Sequence, residues 1–533
     1  MLKVAEDRSI PPEVYNWRVY VLAGMAAFGA FMFGYDAGFL GGTLALPSFG
    51  DEFFPGGSTG SHPTESANIV TVYQLGALAG SLMAYPITEY LGRTAGIFFA
   101  GVMNVVGASM QVATSQSTGL GLFYAGRVIA GLGVGAVSMC VPIYIAEISP
   151  TAIRGRLVSF YEVALQVGGL IGFWIPFGVN QGISGSIPKQ WRIPVGLQLV
   201  PAGILCIGVF FLVESPRWLL KRGRTAQAVE NLAWLRHLPT THPYITTEVA
   251  AVRDAISLEA GASHNRGRWS TVKEILLRGN RNRLATGMTL MAFQNLTGIN
   301  AINYYSPTIF KSLGVNGTST GLFSTGIYGV VKTVCTLIFC FFVIDRVPRR
   351  TILMIGAIGG ALSMYYIGAY IAIAKPAEGK NLGGGGISAI AMIYIFAVFY
   401  CFSWNGTPWV IASEIYPVTI RGVCMAITAA TQWIFQFAIS RATPYMVNSF
   451  GYGTYLFFGS WMIIMLFWTY FFLRETKGVS LEQMDELFGL KTVYRERDDA
   501  ESKVEDICVE KTDDVTASEG SIGSKFGLQK NSA

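Results

Sequence analysis

About twenty residues at a time, and again and again along its length, this chain runs through almost unbroken apolar sequence. Such runs lie near 19–41, 68–88, 95–113, 120–143, 157–179, 192–213, 285–310, 320–344, 352–374, 388–412, 423–446 and 454–473. A helix needs about twenty apolar residues to cross the hydrocarbon core of a bilayer, so the pattern predicts twelve membrane spans. Composition agrees. Charged residues make up 14% of the chain, against about a quarter in soluble proteins, which leaves too little polar surface to cover a water-soluble body of 533 residues. Glycine, at 62 residues, lets membrane helices approach closely, and the aromatic content of 13% suits interfacial belts.

The first eighteen residues are polar and the first apolar run has no small-residue cleavage site, which predicts a signal anchor that stays as span one. Lys and Arg set the orientation. The one long internal segment, about 214–284, holds twelve of them. Other basic positions are Arg93, Arg154, Arg156, Arg346, Arg349, Arg350 and Arg421, all on the side of the bilayer that carries both termini. The opposite loops are short and poor in Arg, so both termini are expected in the cytoplasm. The expected plan is a terminus over 1–18, a six-helix half over 19–213 and a cytoplasmic helical linker over 214–284. A second six-helix half over 285–473 and a cytoplasmic tail over 474–533 complete it. Within the linker, 225–236 and 243–260 read as amphipathic helices. After Leu490 the chain is too polar to build a core and is expected to be disordered.

A duplication confirms the two halves. Glu147-Ile148-Ser149-Pro150-Thr151-Ala152-Ile153-Arg154-Gly155 recurs 267 residues later as Glu414-Ile415-Tyr416-Pro417-Val418-Thr419-Ile420-Arg421-Gly422. Glu89-Tyr90-Leu91-Gly92-Arg93 is echoed by Asp345-Arg346-Val347-Pro348-Arg349, and Glu214-Ser215-Pro216-Arg217 more weakly by Glu475-Thr476-Lys477. Parallel six-span halves that rock about a central cavity are the plan of an alternating-access transporter. The matched acids and bases have two uses open to them: latching the halves together on the cytoplasmic side, or anchoring helix ends at the headgroups.

Asp36, Arg127, Glu162 and Lys332 fall inside spans, where each is a functional hypothesis by default. Glu162 stands four residues before Gln166, on the same face of span five. Lys332 lies mid-way along span eight. It can meet a carboxylate on a solute, pair internally with Glu162, or face a water-filled cavity. Asp36 lies in span one and Arg127 in span four. Span seven carries Gln294, Asn295, Asn300 and Tyr304. An unbroken helix would set 294 and 300 about 120° apart, but Gly298 between them permits a break. Amides suit a polyol because they both donate and accept, and an indole packs on its CH face. The same amides could instead join helices.

The other signals are weak. Asn316-Gly317-Thr318 is a glycosylation sequon in a very short outer loop, while Asn295-Leu296-Thr297 and Asn405-Gly406-Thr407 lie inside spans. The glycines Gly383 to Gly386 do not follow a strand, so they make no phosphate cradle. The cysteines sit in or beside apolar runs, except Cys508 in the tail, and offer neither a disulfide framework nor a metal set. There is no nucleophile–base pair and no nucleotide loop. The chain reads as a transporter and not an enzyme, with no cofactor and no nucleic-acid partner, working as a monomer in a lipid bilayer.

Residues 15 to 490 resemble the sugar porter family of the major facilitator superfamily. The motifs are Gly126-Arg127 with Gly131, Gly133 and Gly135; Pro142-Ile143-Tyr144-Ile145-Ala146-Glu147; Glu214-Ser215-Pro216-Arg217-Trp218-Leu219; Gln294 through Tyr305; Pro408-Trp409; and Glu475-Thr476-Lys477-Gly478. Within the family the chain looks most like the fungal quinate permeases, most pointedly over Arg154 to Gly169. The resemblance implies an all-α fold of twelve spans in two pseudo-symmetric halves. It implies that Gln294, Asn295, Asn300, Tyr304, Trp409 and Gln432 line the substrate site with Trp433 close by, and that Asp36 carries a proton under the influence of Arg127. Fungal facilitators also carry Asp there, so Asp36 is compatible with symport and with facilitation. It further implies gating by Glu89, Arg93, Glu147, Arg154, Glu214, Arg217, Asp345, Arg349, Glu414 and Arg421. Departures are Thr94 for an Arg, Pro348 for a Gly, Val213 and Arg474 for prolines, Asn295 for a Gln and Glu162 for a Gln. The last two bear on specificity. With Lys332 they point to a hydroxylated carboxylate such as quinate, imported with protons across a fungal plasma membrane. The alternatives are a neutral monosaccharide carrier, or a nutrient sensor of the same build, for which the tail is short.

Overall fold

The computed structural model describes residues 11–54, 62–150, 153–264, 268–343, 346–376, 383–417 and 420–476. Among them, every regular element is helical. The first half comprises α1 (Trp17–Leu44), the short outer α2 (Pro47–Phe53), α3 (Pro63–Tyr90), α4 (Arg93–Val112), α5 (Gly119–Ile148) and α6 (Arg154–Gly182). Its sixth span is α7 (Lys189–Gly196) continued by α8 (Leu199–Val209). Four linker helices follow: α9 (Pro216–Lys221), α10 (Thr225–Arg236), α11 (Pro243–His264) and α12 (Arg268–Leu276). The second half is α13 (Arg278–Leu296), α14 (Ile299–Ser312), α15 (Thr318–Ile338), α16 (Arg349–Ala374), α17 (Gly384–Phe402), α18 (Thr407–Ile415), α19 (Arg421–Phe450) and α20 (Gly453–Phe471). The tail beyond residue 476, with its expected disorder, lies outside the described residues.

Among the described residues, eleven helical stretches are long and apolar enough to cross a bilayer. Span seven is the twelfth, divided at Gly298. There φ is +88°, a left-handed value that glycine tolerates, and the chain resumes as the fourteen-residue α14. Span ten is also interrupted, between Phe402 and Thr407, with Ser403 outside helical geometry (φ −134°, ψ −76°). Both interruptions belong to the second half and face each other across it.

Packing in the first half depends on backbone approach. Gly131 and Gly135 of α5 lie against carbonyls of α3; a Cβ on Gly135 would sit 1.9 Å from the Ala77 oxygen. Gly34 of α1 lies similarly on Leu165 of α6. Small residues let helices close to van der Waals distance where no hydrophobic force separates protein from lipid. The glycine run after Arg127 is thus a contact surface.

The halves meet chiefly where α3 packs on α19, α6 on α15, and α1 on α14. The linker is tied beneath the first half. Asn16 Nδ2 donates to the Leu235 carbonyl at 2.8 Å, Arg18 Nη1 to Trp234 at 2.9 Å, and Arg236 Nη1 to Ile148 at 2.8 Å. The buried Arg236 also holds Glu248 in a two-point pair at 3.0 and 2.7 Å. The expected amphipathic segments at 225–236 and 243–260 correspond to α10 and α11.

Gly135→Leu should abolish a monodisperse folded species in fluorescence-detected size-exclusion chromatography, because backbone cannot yield to the new side chain. Gly178→Leu, with nothing within 4 Å of its added Cβ, should leave the profile unchanged.

Candidate functional site

The charges on the basic-loop side form one arrangement twice. In the first half, Arg93 grips Glu147 through Nε at 3.1 Å and Nη2 at 3.0 Å, and lies 3.7 Å from Glu89, which also meets Lys221 at 2.5 Å. Glu214 caps the start of α4, accepting from the Arg93 and Thr94 amides at 2.9 and 3.2 Å and from the Thr94 hydroxyl at 2.6 Å. Thr94 therefore contributes a hydroxyl as well as an amide to this cap. In the second half Arg349 meets Glu414 at 3.3 Å, and Glu475 caps α16 through the Arg349 and Arg350 amides at 2.9 and 3.0 Å. Thr476 donates to Glu414 at 2.7 Å. These bonds run within each half.

The remaining gate residues are placed differently from the simple spacing. Arg154 is exposed and does not share Glu147, which Arg93 occupies; the like charges of Arg217, in α9, and Arg236 act on it. Arg421 donates to the Tyr416 carbonyl at 3.3 and 3.2 Å. Asp345 lies outside the described residues. Asn316, the sequon residue, is exposed in the turn between α14 and α15.

Between the halves, the two helix interruptions gather a chain of amides. Gln294 Nε2 donates to the Trp404 and Asn405 carbonyls at 2.9 and 2.6 Å, bonding groups that the break in span ten leaves without helical partners. Asn300 Nδ2 donates to Asn295 Oδ1 at 2.6 Å, and Asn295 Nδ2 to Gln432 Oε1 at 2.7 Å. Gln436 donates to the Tyr304 hydroxyl at 3.2 Å. Trp409 is half-buried against the core of the second half. Trp433 is buried, its ring 5.6 Å from that of Phe33 in the first half.

Glu162 Oε1 accepts from Gln166 at 2.8 Å and, across the interface, from Asn405 Nδ2 at 2.9 Å. Among the described residues no carboxylate lies within 4.0 Å of Lys332; its Nζ donates to Asn303 Oδ1 at 3.4 Å, and Glu162 acts on it only at longer range. Of the uses open to Lys332, a direct pair with Glu162 is therefore not the one adopted. Asn303 also accepts from Tyr328 at 2.9 Å. Sequence reading passed over Asn303, Asn405 and Gln436. Asn303 and Gln436 follow Asn300 and Gln432 at helical spacings of three and four, a signal available in the sequence. Asn405 was read only as an unusable sequon.

Asp36 and Arg127 form an ion pair deep in the first half, with exposures of 1% and 0%. Arg127 also donates to the Ile69 carbonyl at 3.1 Å and lies 4.1 Å above the Tyr73 ring. Nearer the face opposite the basic loops, hydrogen bonds join the halves. Arg441 reaches Asn68, Tyr445 meets Thr64 at 3.0 Å, Asn180 meets Ser319 at 2.9 Å and Gln74 meets Ser440 at 2.9 Å.

The family model described as "Sugar (and other) transporter" matches residues 22–488. A protein of Aspergillus flavus named "Probable quinate permease" is 48% identical over 93% of each chain. One of the same name from Aspergillus terreus is 47% identical, over 93% of this chain and 91% of its own. The solved proton:xylose symporter XylE, bound to 6-bromo-6-deoxy-D-glucose, superposes with a TM-score of 0.72 at 26% identity, over 88% of this chain and 99% of that one. The inward-open conformation of the xylose transporter XylE from E. coli gives 0.71 at 25% identity over the same shares.

The buried ion pair makes a test independent of transport. Asp36→Asn strands the Arg127 charge and should lower stability by about 3–5 kcal/mol. The double change D36N/R127Q should recover part of that loss, read as thermal stability of the detergent-solubilised protein.

Proposed function

Because the chain belongs to the sugar transporter family, whose members are membrane carriers and not enzymes, we propose that it imports quinate or a closely related hydroxylated carboxylate across a fungal plasma membrane. Import is by alternating access and is driven by proton symport, with the carrier acting as a monomer. The observation that carries the reading is the placement of Glu162 and Lys332 among the amides between the halves. An all-amide cavity suits a neutral polyol; an ammonium and a carboxylate inside it suit a solute that is both an acid and an alcohol. The names of the Aspergillus relatives support the same substrate class.

In this reading Lys332 attracts the solute carboxylate, and Glu162 and Gln166 meet ring hydroxyls. Gln294, Asn295, Asn300, Tyr304 and Gln432 complete the polar wall, while Trp409 and Trp433 bound it. With both termini read as cytoplasmic from the basic loops, the face crossed by the hydrogen bonds of Arg441, Tyr445, Asn180 and Gln74 is the outer one, which supports an inward-facing conformation. Arg441, Asn68, Thr64 and Tyr445 then form the outer closure. The paired charges Glu89, Arg93, Glu147, Glu214, Arg349 and Glu414, with Arg154, Arg217, Asp345 and Arg421, make up the gating layer of the cytoplasmic side.

Asp36 couples the proton. An ion pair with Arg127 favours the charged carboxylate, and separating the two favours taking up a proton. If movement of the halves alters that pair, protonation follows conformation. This gives the sign of the pH dependence: external protons are a co-substrate, so uptake falls as external pH rises.

The test is uptake in transport-deficient yeast of labelled quinate, with glucose, xylose and shikimate as competitors, across external pH. Expected are quinate uptake lost on addition of a protonophore and little competition by glucose or xylose. Lys332→Met should raise the KM for quinate by about tenfold, the loss of one charge-assisted hydrogen bond. Uptake indifferent to pH and protonophore would remove the coupling. Competition by glucose without any by quinate would replace the substrate with a neutral sugar.

A further inference from the structure

The residue that touches most of the central site is one that a transporter of amide-lined cavity would not need. Asn405 lies in the interruption of span ten, between α17 and α18. Its carbonyl accepts from Gln294 of α13 at 2.6 Å. Its side-chain amide donates to Glu162 Oε1 of α6 at 2.9 Å and, more loosely, to Thr336 Oγ1 of α15 at 3.5 Å. One residue thus reaches three helices and both halves.

Its effect falls on Glu162. A carboxylate has about four lone-pair directions on two oxygens. Both amides, Gln166 from its own helix and Asn405 from the opposite half, bind the same oxygen, Oε1. Among the described residues no hydrogen bond reaches Oε2, and it is not among the buried polar atoms lacking a partner. The carboxylate is therefore fixed by one edge and open at the other.

Resting on the reading that Glu162 belongs to the substrate site, we propose that Asn405 is a positioning residue. It holds the Glu162 carboxylate across the two halves so that Oε2 accepts a hydroxyl of the solute. The ligand chemistry is an alcohol on a ring, a donor to a fixed anion. Glu162 lies nearer the basic-loop end of α6 than the Gln166 and Asn180 contacts to the second half, through Thr333 and Ser319. Among the described residues, the Asn405 bond is thus the hydrogen bond from α6 to the second half that lies nearest the basic-loop end. A mere tie between halves would serve that location too, so the test must separate positioning from joining.

Substitution of Asn405 leaves its backbone carbonyl, and so the Gln294 contact, in place; only the grip on Glu162 is lost. Uptake of labelled quinate, corrected for surface expression, should show about a tenfold rise in KM for Asn405→Ala with Vmax within about twofold. Asn405→Asp sets two carboxylates against each other and should be worse than the alanine variant. The exchanged pair E162Q/N405D restores an amide–carboxylate bond with the roles reversed and should recover at least about threefold in KM over N405D, an interaction term of a kind that contacting residues show. This comparison stands even if the alanine variant fails to reach the surface. An unchanged KM in N405A at normal surface level, or an exchanged pair no better than N405D, overturns the proposal. A normal quinate KM in E162Q alone would instead remove Glu162 from the site and overturn the preceding reading itself.

Discussion

A peptide carbonyl at membrane depth has no water to bond, and nearly everything about the centre of this protein follows from that. Ten spans keep their backbone groups satisfied internally as continuous or nearly continuous helix. Spans seven and ten are interrupted, at Gly298 and between Phe402 and Thr407. Irregular backbone is tolerated at such depth only where protein or a cavity surrounds it. Here one break is answered from beside the other: Gln294, four residues before the first, binds the Trp404 and Asn405 carbonyls exposed by the second. Gln294 is thus first of all a repair to a broken helix.

The same constraint makes the halves unequal. They share the basic-side design, down to a glutamate capping the helix that follows each Gly-Arg or Pro-Arg turn: Glu214 on α4 and Glu475 on α16. They differ in how they hold together. The first half closes helix on helix through glycine, with Gly34, Gly76, Gly80, Gly131 and Gly135 each against a backbone carbonyl of a neighbour. In the second, the glycines of α16 meet side chains instead: Ser403, Phe399 and Met462. A half built on backbone contact is a stiff body. One containing two broken spans has places to bend, and the polar site lies on its side of the interface.

The spans, the two-fold repeat and the family resemblance were legible because each is written in many residues at once, in apolar runs or in motifs separated by one offset. The pairing of acids with bases was legible only in part. Spacing within Glu147–Arg154 points to a local pair, yet Arg93, fifty-four residues earlier in sequence, takes Glu147. Charges at neighbouring helix ends compete for one carboxylate, and sequence distance does not rank the competitors. Lys332 illustrates the same gap, since an asparagine of the preceding span and not the opposing glutamate holds its ammonium. Asn405 was hidden for another reason. Its significance depends on a break in span ten that no glycine–proline signature marks unambiguously, and on a partner 243 residues away.

What the amides and charges amount to together is a division of labour set by desolvation. A buried charge must be paired or neutralised, and the protein treats Asp36, Arg127, Glu162 and Lys332 in two ways. Asp36 and Arg127 are sealed against each other inside the first half, where solvent exposure is negligible and only a movement of helices could part them. Glu162 and Lys332 are held by neutral amides that orient them without cancelling their charge. A salt bridge between these two would have been the cheaper arrangement for an empty protein, and it would have left nothing for a solute to complete. Keeping both charges partly satisfied raises the energy of the empty site and so favours whatever solute can answer both at once. A neutral sugar offers hydroxyls to Glu162 but no anion to Lys332, whereas the hydroxylated acid proposed above offers both, so the choice of amide partners bears on that proposal as much as the presence of the charges does.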